Sequence, residues 1–527
     1  MRRPGVKDAI GTFAAFLYSL PAWSYPFGND QSLHWYIGDN WLDGTLPFVS
    51  AISSKPIGMF AVHALSTALF GSGMWPIRVT ESLTVLLVGW LVALAARPLD
   101  AAPEDGEWGL GALLFSGIYY TFYDYWDTAH PELWMSACAL AAFVVALRAR
   151  TDWSRDAGAG ALATAAFMFK YPAALPALGV SALCALRAFQ ARAPSEGVGG
   201  TLRAGSLAVL AAAGRFLCGV FPVIALTLLP FAIGGQLKPM WEILGVYIFH
   251  YAEQAPPVRG LPAWFRIEHG GLLFLITFVL SCVAAATARE RRDREGSWRL
   301  GWLCLGALLA LCSVILQKRY FPYHFVAIGS FCAAVCGVSI RLLPRARRAP
   351  SWATLGVTAL AIAAVFIFAP TSGLGQSYRG YVKSLWAWRR GETDRDAMLR
   401  GLNNPRSLDS PLWVEHVAAR VNALKQPGDT LCARGFLTPL HPLTQLRCPS
   451  RHIVQENVDT GLPDWKREYR ETLEQHPPTF VVTFSDRPRD LKYLAERGYT
   501  LVYQEHLFRV FSTRPPPAGF DTGARKR

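Results

Sequence analysis

Long apolar runs broken by short basic clusters organise this chain. Residues 83–96 and 300–316 hold almost no charge, whereas 289–294 hold little else. A helix that crosses a bilayer needs roughly 17–25 mostly apolar residues, because hydrocarbon offers no water to free backbone groups. Segments near 9–25, 76–96, 108–125, 133–148, 158–169, 173–186, 207–233, 270–288, 300–316, 323–340 and 352–369 are the candidates, which predicts about eleven spans. The pair meeting at Lys170-Tyr171-Pro172 is short, as interrupted helices are where protein or a watery cavity covers them. Residues 57–70 are too short to cross and end at Gly71-Ser72-Gly73, so they predict a helix lying in the interface, with 30–43 as a similar one.

From residue 371 the pattern changes to that of a soluble α/β domain. Residues 412–424 have helical periodicity, 479–484 read as a strand, and 491–497 end a helix before Gly498. Residues 500–503 and 508–511 read as further strands. The expected organisation is a membrane domain over 1–370, an external domain over 371–514 and a disordered tail over 515–527.

Charge sets the orientation. If 57–70 lies flat, Arg97, Arg148, Arg150, Arg155, Arg187, Arg192 and Arg203 fall on the cytoplasmic side, as do the clusters at 289–299 and 341–348. That is what the positive-inside rule demands, and a crossing helix there would invert all of them. This charge distribution predicts the N-terminus inside and the C-terminal domain outside. The first segment, after Arg2, Arg3 and Lys7, lacks a small-residue cleavage pattern and reads as a retained span. Composition agrees: 52% of residues are hydrophobic and 17% charged, against about 25% charged in a soluble protein. The net charge of +14 therefore reflects topology, and nucleic acid is not an expected partner.

Two acidic sites at the external face are where chemistry is expected. Tyr25-Pro-Phe-Gly-Asn-Asp30-Gln-Ser-Leu-His34 follows the first span, and Asp124-Tyr-Trp-Asp127-Thr-Ala-His130-Pro-Glu132 follows the third. Ionisable residues at a membrane boundary are costly and mark function, although Asp39 and Asp43, four apart, read as a solvated helix face. Lys55, Lys170, Arg259, Arg266, Lys318 and Arg319 are the external cations, and together they suit a phosphate or diphosphate headgroup. His34, His130, His250, His269 and His324 share that face without a metal-ligand spacing, so no cofactor is expected and a divalent metal stays open. No P-loop or G-x-S-x-G elbow is present. Eight cysteines lie in spans as packing residues, while Cys432 and Cys448 are the only external pair and predict a disulfide.

The order of these features resembles the GT-C membrane glycosyltransferases, nearest the group of the aminoarabinose transferase and the protein O-mannosyltransferases. Asn29-Asp30, Lys55-Pro56, Asp127, Phe169-Lys170-Tyr171-Pro172 and Lys318-Arg319-Tyr320-Phe321-Pro322-Tyr323 carry the resemblance over residues 9–370. It implies a polyprenyl-phosphate sugar as donor, transfer at the extracytoplasmic face, and inversion at the anomeric carbon. Asp30 would be the catalytic carboxylate, with Asp127 positioning acceptor or base. Lys55 would hold the donor phosphate, with Lys170, Arg259, Lys318 and Arg319 as further ligands. His34, His130 and Tyr320 would position donor or acceptor. The resemblance implies a cell-envelope enzyme in a bacterial inner membrane, with a lipid, glycan or protein acceptor. Relatives often carry Asp-Glu where this chain has Asp30-Gln31, which removes one candidate base. The alternatives are a flippase for a lipid-linked saccharide, an oligosaccharide polymerase or ligase, and a non-catalytic scaffold. A transporter would need charged residues deep in its spans, and Arg215 is the main candidate.

Overall fold

The computed structural model describes residues 6–98, 108–149, 151–192, 198–254, 277–282, 284–286, 293–318, 321–342, 378–402, 410–484 and 488–520. Among the described residues, nine α-helices open the chain: α1 (Val6–Ser19), α2 (Asn29–Leu42), α3 (Gly58–Phe70), α4 (Trp75–Ala96), α5 (Trp108–Phe122), α6 (Pro131–Arg148), α7 (Asp152–Phe169), α8 (Ala174–Arg192) and α9 (Val198–Ile233). Helices Arg294–Gln317 and Val326–Leu342 complete the described part of the bundle. Six helical stretches among the described residues are long and apolar enough to cross a bilayer. They coincide with six of the expected spans, and the chain is an integral membrane protein. Three more expected spans, α1, α5 and α7, are helical but short or charged: α1 has 14 residues, α5 has 15, and α7 begins with Asp152, Arg155 and Asp156. The spans expected at 270–288 and 352–369 lie largely or wholly outside the described residues. Helix α3 has 13 residues, too few to cross.

Small residues let the helices approach. A Cβ on Gly219 of α9 would lie 1.9 Å from the Ala157 carbonyl oxygen of α7, and one on Gly160 of α7 would lie 2.2 Å from that of Phe216. Backbone contact of this kind is how helices associate where lipid provides no hydrophobic drive. Beside it, Asp156, fully buried, accepts from Arg155 at 2.7 Å and from Arg215 of α9 at 2.8 Å. Gly219→Leu is expected to cost about 1–3 kcal/mol or more through overpacking and to lower the Tm in detergent. Gly301→Leu, whose added carbon meets nothing within 4 Å, should leave the Tm unchanged. Equal effects would contradict this packing.

Charge marks the two ends of α4. The last carbonyls of the helix have no intrahelical donors, and arginines supply them. Arg148 donates to Leu94 O at 3.2 Å and Arg97 O at 2.7 Å, and Arg299 donates to Ala96 O at 3.1 Å. At the opposite end Pro76 opens the helix, and Arg78 reaches Pro26 in the loop before α2. The basic cluster and the acidic loops therefore occupy opposite ends of one helix.

The C-terminal part holds a four-stranded sheet in the order β1 (Leu431–Ala433), β2 (Phe480–Thr483), β4 (Phe508–Ser512), β3 (Thr500–Glu505), with β1 parallel to β2 and the other pairs antiparallel. Side chains alternate across it, as the period of a strand requires. Phe480, Val482 and Val510 face the helix Pro411–Leu424, while Val481 and Phe511 face Leu473 and Leu494 of the helices Trp465–Gln475 and Pro488–Glu496. The expected helices near 412–424 and 491–497 and the three expected strands are all present, and β1 and the helix Trp465–Gln475 are additions. Of the tail expected over 515–527, residues 515–520 are described, with Phe520 5.9 Å from the Arg420 guanidinium.

The helix Tyr378–Arg389 packs against the membrane helices. Tyr381 of the helix Tyr378–Arg389 stacks 4.5 Å from Tyr25, Tyr378 stacks 5.6 Å from Tyr120, and the Tyr378 hydroxyl donates to Tyr18 O. That helix belongs to the core of the membrane helices.

Candidate active site

Helix α2 starts where the chain leaves α1 through Pro26 and the extended Gly28, so Asp30 sits in the first turn, at the positive end of the helix dipole. Four groups hold this helix. Gln31 Nε2 donates to the carbonyls of Tyr125 (3.2 Å), Trp126 (3.0 Å) and Thr128 (2.6 Å), which ties the first acidic site to the second. From the sheet domain, Thr438 Oγ1 donates to Asn29 O at 2.6 Å and Cys448 N to the Tyr36 hydroxyl at 3.0 Å. Arg447 donates to both Asp39 and Asp43, the latter at 2.7 Å. These two acids thus attach the C-terminal sheet domain, with Asp39 15% exposed and Asp43, at 67%, keeping the solvated position expected.

The second loop is built from below. Asp124 Oδ1 accepts from the backbone N–H of Trp126 at 2.8 Å and of Asp127 at 3.2 Å, closing an Asx turn. Ala129 has φ +55°, a left-handed conformation that a non-glycine residue keeps only when its surroundings impose it. Its N–H donates to the Tyr119 hydroxyl at 2.9 Å and to Glu81 Oε1 at 3.2 Å. Arg78, fully buried, donates to Glu81 Oε2 and Thr128 Oγ1, both at 2.9 Å, to Pro26 O at 3.2 Å and to Tyr125 O at 3.3 Å. One guanidinium therefore bridges both loops.

On this base Asp30 and the second loop converge. His130 Nδ1 lies 3.8 Å from Asp30 Oδ2, beyond direct hydrogen-bond range, and the ring stacks on Tyr323 at 3.8 Å and 15°. His130 Nε2 is 2.8 Å from Trp126 O, so that nitrogen carries the proton. Burial presses the imidazole down to about 3, which keeps it neutral with the Nδ1 lone pair towards Asp30. Lys170 lies 5.6 Å from the same Tyr323 ring and is ion-paired with Glu132, which also has His324 at 3.6 Å. Asp30 is 25% exposed, whereas Glu132 and Asp127 are each about 1% exposed. Asp30 is the open carboxylate.

Asp127 stands under the surface, within the field of Tyr323 together with Asp30 and Glu132. Burial, then Asp124, pushes its carboxyl well above the usual range. Lys55, half-buried, acts electrostatically on His34, His130 and Lys170, which places it at this cluster. His34 is buried, 5.9 Å from His63 between ring centres. Lys318 is exposed at the end of the helix Arg294–Gln317, with φ +54°, and no described contact brings it to Asp30. Arg259, Arg319 and Tyr320 lie outside the described residues. Cys432 and Cys448 are adjacent thiols joined by a hydrogen bond, where a disulfide was expected. Among the described residues no group of three His, Cys, Asp or Glu side chains could hold a metal ion.

The charged residues missed in the sequence are Arg78 and Glu81 in α4, which were absorbed into an apolar span, and Glu132 as the partner of Lys170. An Arg-x-x-Glu spacing inside an apolar helix is the signal that could have found the first pair. Gln31, noted only as the loss of a base, is a donor to three carbonyls. Gln31→Glu puts a carboxylate among them. The loops should then separate enough to cut the activity of the site by about 10²-fold, with wild-type rates contradicting the tie.

A narrow cleft runs beside this cluster. Pro26, Phe27, Asn29 and Trp126 line it together with Val414, Glu415 and Pro439 of the C-terminal domain. The chain's fold recurs in a solved protein. The crystal structure of ArnT from Cupriavidus metallidurans bound to undecaprenyl phosphate superposes with a TM-score of 0.56 at 16% identity, covering 97% of this chain and 98% of that one. The fold is GT-C. The apo structure of the same ArnT matches this GT-C chain with a TM-score of 0.51, at 16% identity and over 97% and 98% of the two chains. Residues 54–235, which carry Lys55, Asp127 and Lys170, match the family model for dolichyl-phosphate-mannose-protein mannosyltransferase. No curated protein sequence matches the chain.

Proposed function

We propose that this protein transfers a sugar from a polyprenyl-phosphate donor to an acceptor hydroxyl or amine at the extracytoplasmic face. The observation that carries this reading is Asp30, partly exposed where Asp127 and Glu132 of the same cluster are buried, beside the neutral His130 imidazole and the cations Lys55 and Lys170. The fold shared with an ArnT that binds undecaprenyl phosphate supports the donor class. The arginine-capped end of α4, opposite the acidic loops, supports the sidedness.

In the reaction, the acceptor O–H or N–H gives its proton to Asp30 while its oxygen or nitrogen forms the bond to the anomeric carbon. The bond from that carbon to the phosphate oxygen breaks with inversion, and polyprenyl phosphate leaves. His130 Nδ1 accepts a hydrogen bond from a different N–H or O–H of the acceptor and so orients it. Lys55, half-buried beside this cluster, meets the phosphate, and a phosphate so held needs little acid help. Asp127 and Glu132 act from beneath as positioning groups. Mass spectrometry of glycolipids and surface polymers from cells with the wild-type protein, without it, and with Asp30→Asn tests this. A sugar unit missing from both altered strains is the expected result. Unchanged profiles would overturn it.

A further inference from the structure

The outer domain contains a hollow of about 220 Å³ on the sheet face away from the helix Pro411–Leu424. Cys432, Leu473, Val481 and Leu494 form its floor, and Tyr493 and Tyr499 stand in its walls. Pockets for drug-sized ligands run from roughly 300 to 1,000 Å³, so this one suits a single ring with a few substituents.

Its charge is unusual for an outer surface. The guanidinia of Arg434 and Arg497 lie 5.4 Å and 3.8 Å from the centre of the one Tyr493 ring, so two cations share one wall. Arg497 is partly neutralised by Glu474 at 3.0 Å, both at the exposed rim. Arg434 has no carboxylate partner among the described residues. Guanidinium groups present paired donors to carboxylates and phosphates, and an apolar floor with aromatic walls suits the carbon face of a ring.

We propose that this hollow is a second ligand site, separate from the Asp30 cluster, that binds one anionic sugar unit through Arg434 and Arg497, with its ring against Tyr493. The carboxylate of a uronic acid and the phosphate of a sugar phosphate are the two sources of that charge.

Titration of the purified full-length protein with glucuronate, glucose 1-phosphate and glucose, followed by calorimetry and saturation-transfer NMR, tests it. At least one anionic sugar should saturate the protein, with glucose at least tenfold weaker. Preference for glucuronate names a uronic acid unit, and preference for glucose 1-phosphate names a sugar phosphate. Arg434→Gln and Tyr493→Ser should each weaken binding about tenfold. Arg467→Gln, on an exposed neighbouring position, should not. Asp30→Asn should also bind normally, which keeps this outcome independent of the transfer reaction. No saturable binding, equal binding of glucose, or unchanged binding by a folded Arg434→Gln or Tyr493→Ser protein would overturn the site. So would binding lost with Asp30→Asn alone.

Discussion

Asp30→Asn is expected to slow sugar transfer by about 10²–10⁴-fold while leaving donor binding within about twofold of wild type. The substitution keeps the shape at the start of α2 and its place 3.8 Å from His130, and it removes the group that takes the acceptor's proton in the proposed reaction. The rate of the first turnover with bound donor and excess acceptor measures it. His130→Gln should cost less, because that ring orients the acceptor and does not end with the proton. A variant Asp30→Asn with more than a tenth of the wild-type rate would remove Asp30 from the chemistry.

Arg78→Leu should be the most destabilising single change in the acidic loops. Arg78 and Glu81 are both fully buried and paired at 2.9 Å, so losing the guanidinium strands a carboxylate and should cost about 3–5 kcal/mol. Arg78→Leu with Glu81→Leu should recover much of that stability, since an apolar pair can replace a buried ion pair. Activity should not return with it. The double variant still lacks the donors to Pro26 O, Tyr125 O and Thr128 Oγ1 that hold the two loops together. Thermal unfolding and transfer rates on the same samples separate the two effects. Recovered activity in the double variant would reduce Arg78 to a folding residue.

Much of this arrangement was legible because periodicity and burial are local. The apolar runs of α4 and α6 mark their own ends, and the flat reading of α3 followed from 13 residues being too few to cross. Asp30 was legible as an acid stranded at a span end. What escaped depends on partners far along the chain. Nothing near Asp39 announces Arg447, 408 positions away, and nothing near Lys170 announces that Glu132 neutralises it. Asp127 looked equivalent to Asp30 in sequence, yet the packing around Tyr323 buries one and leaves the other open. The short strand β1 has three residues, below the length at which alternation is readable, and only its pairing with β2 defines it.

Reconstitution of the purified protein in liposomes with the polyprenyl-phosphate-linked sugars of its host, and an envelope extract from cells lacking the protein, is the most direct measurement. The amount of free polyprenyl phosphate released should equal the amount of sugar joined to acceptor, and both should vanish with Asp30→Asn. Donor that crosses the bilayer intact, with no polyprenyl phosphate set free, would show a carrier of lipid-linked sugar instead of a transferase.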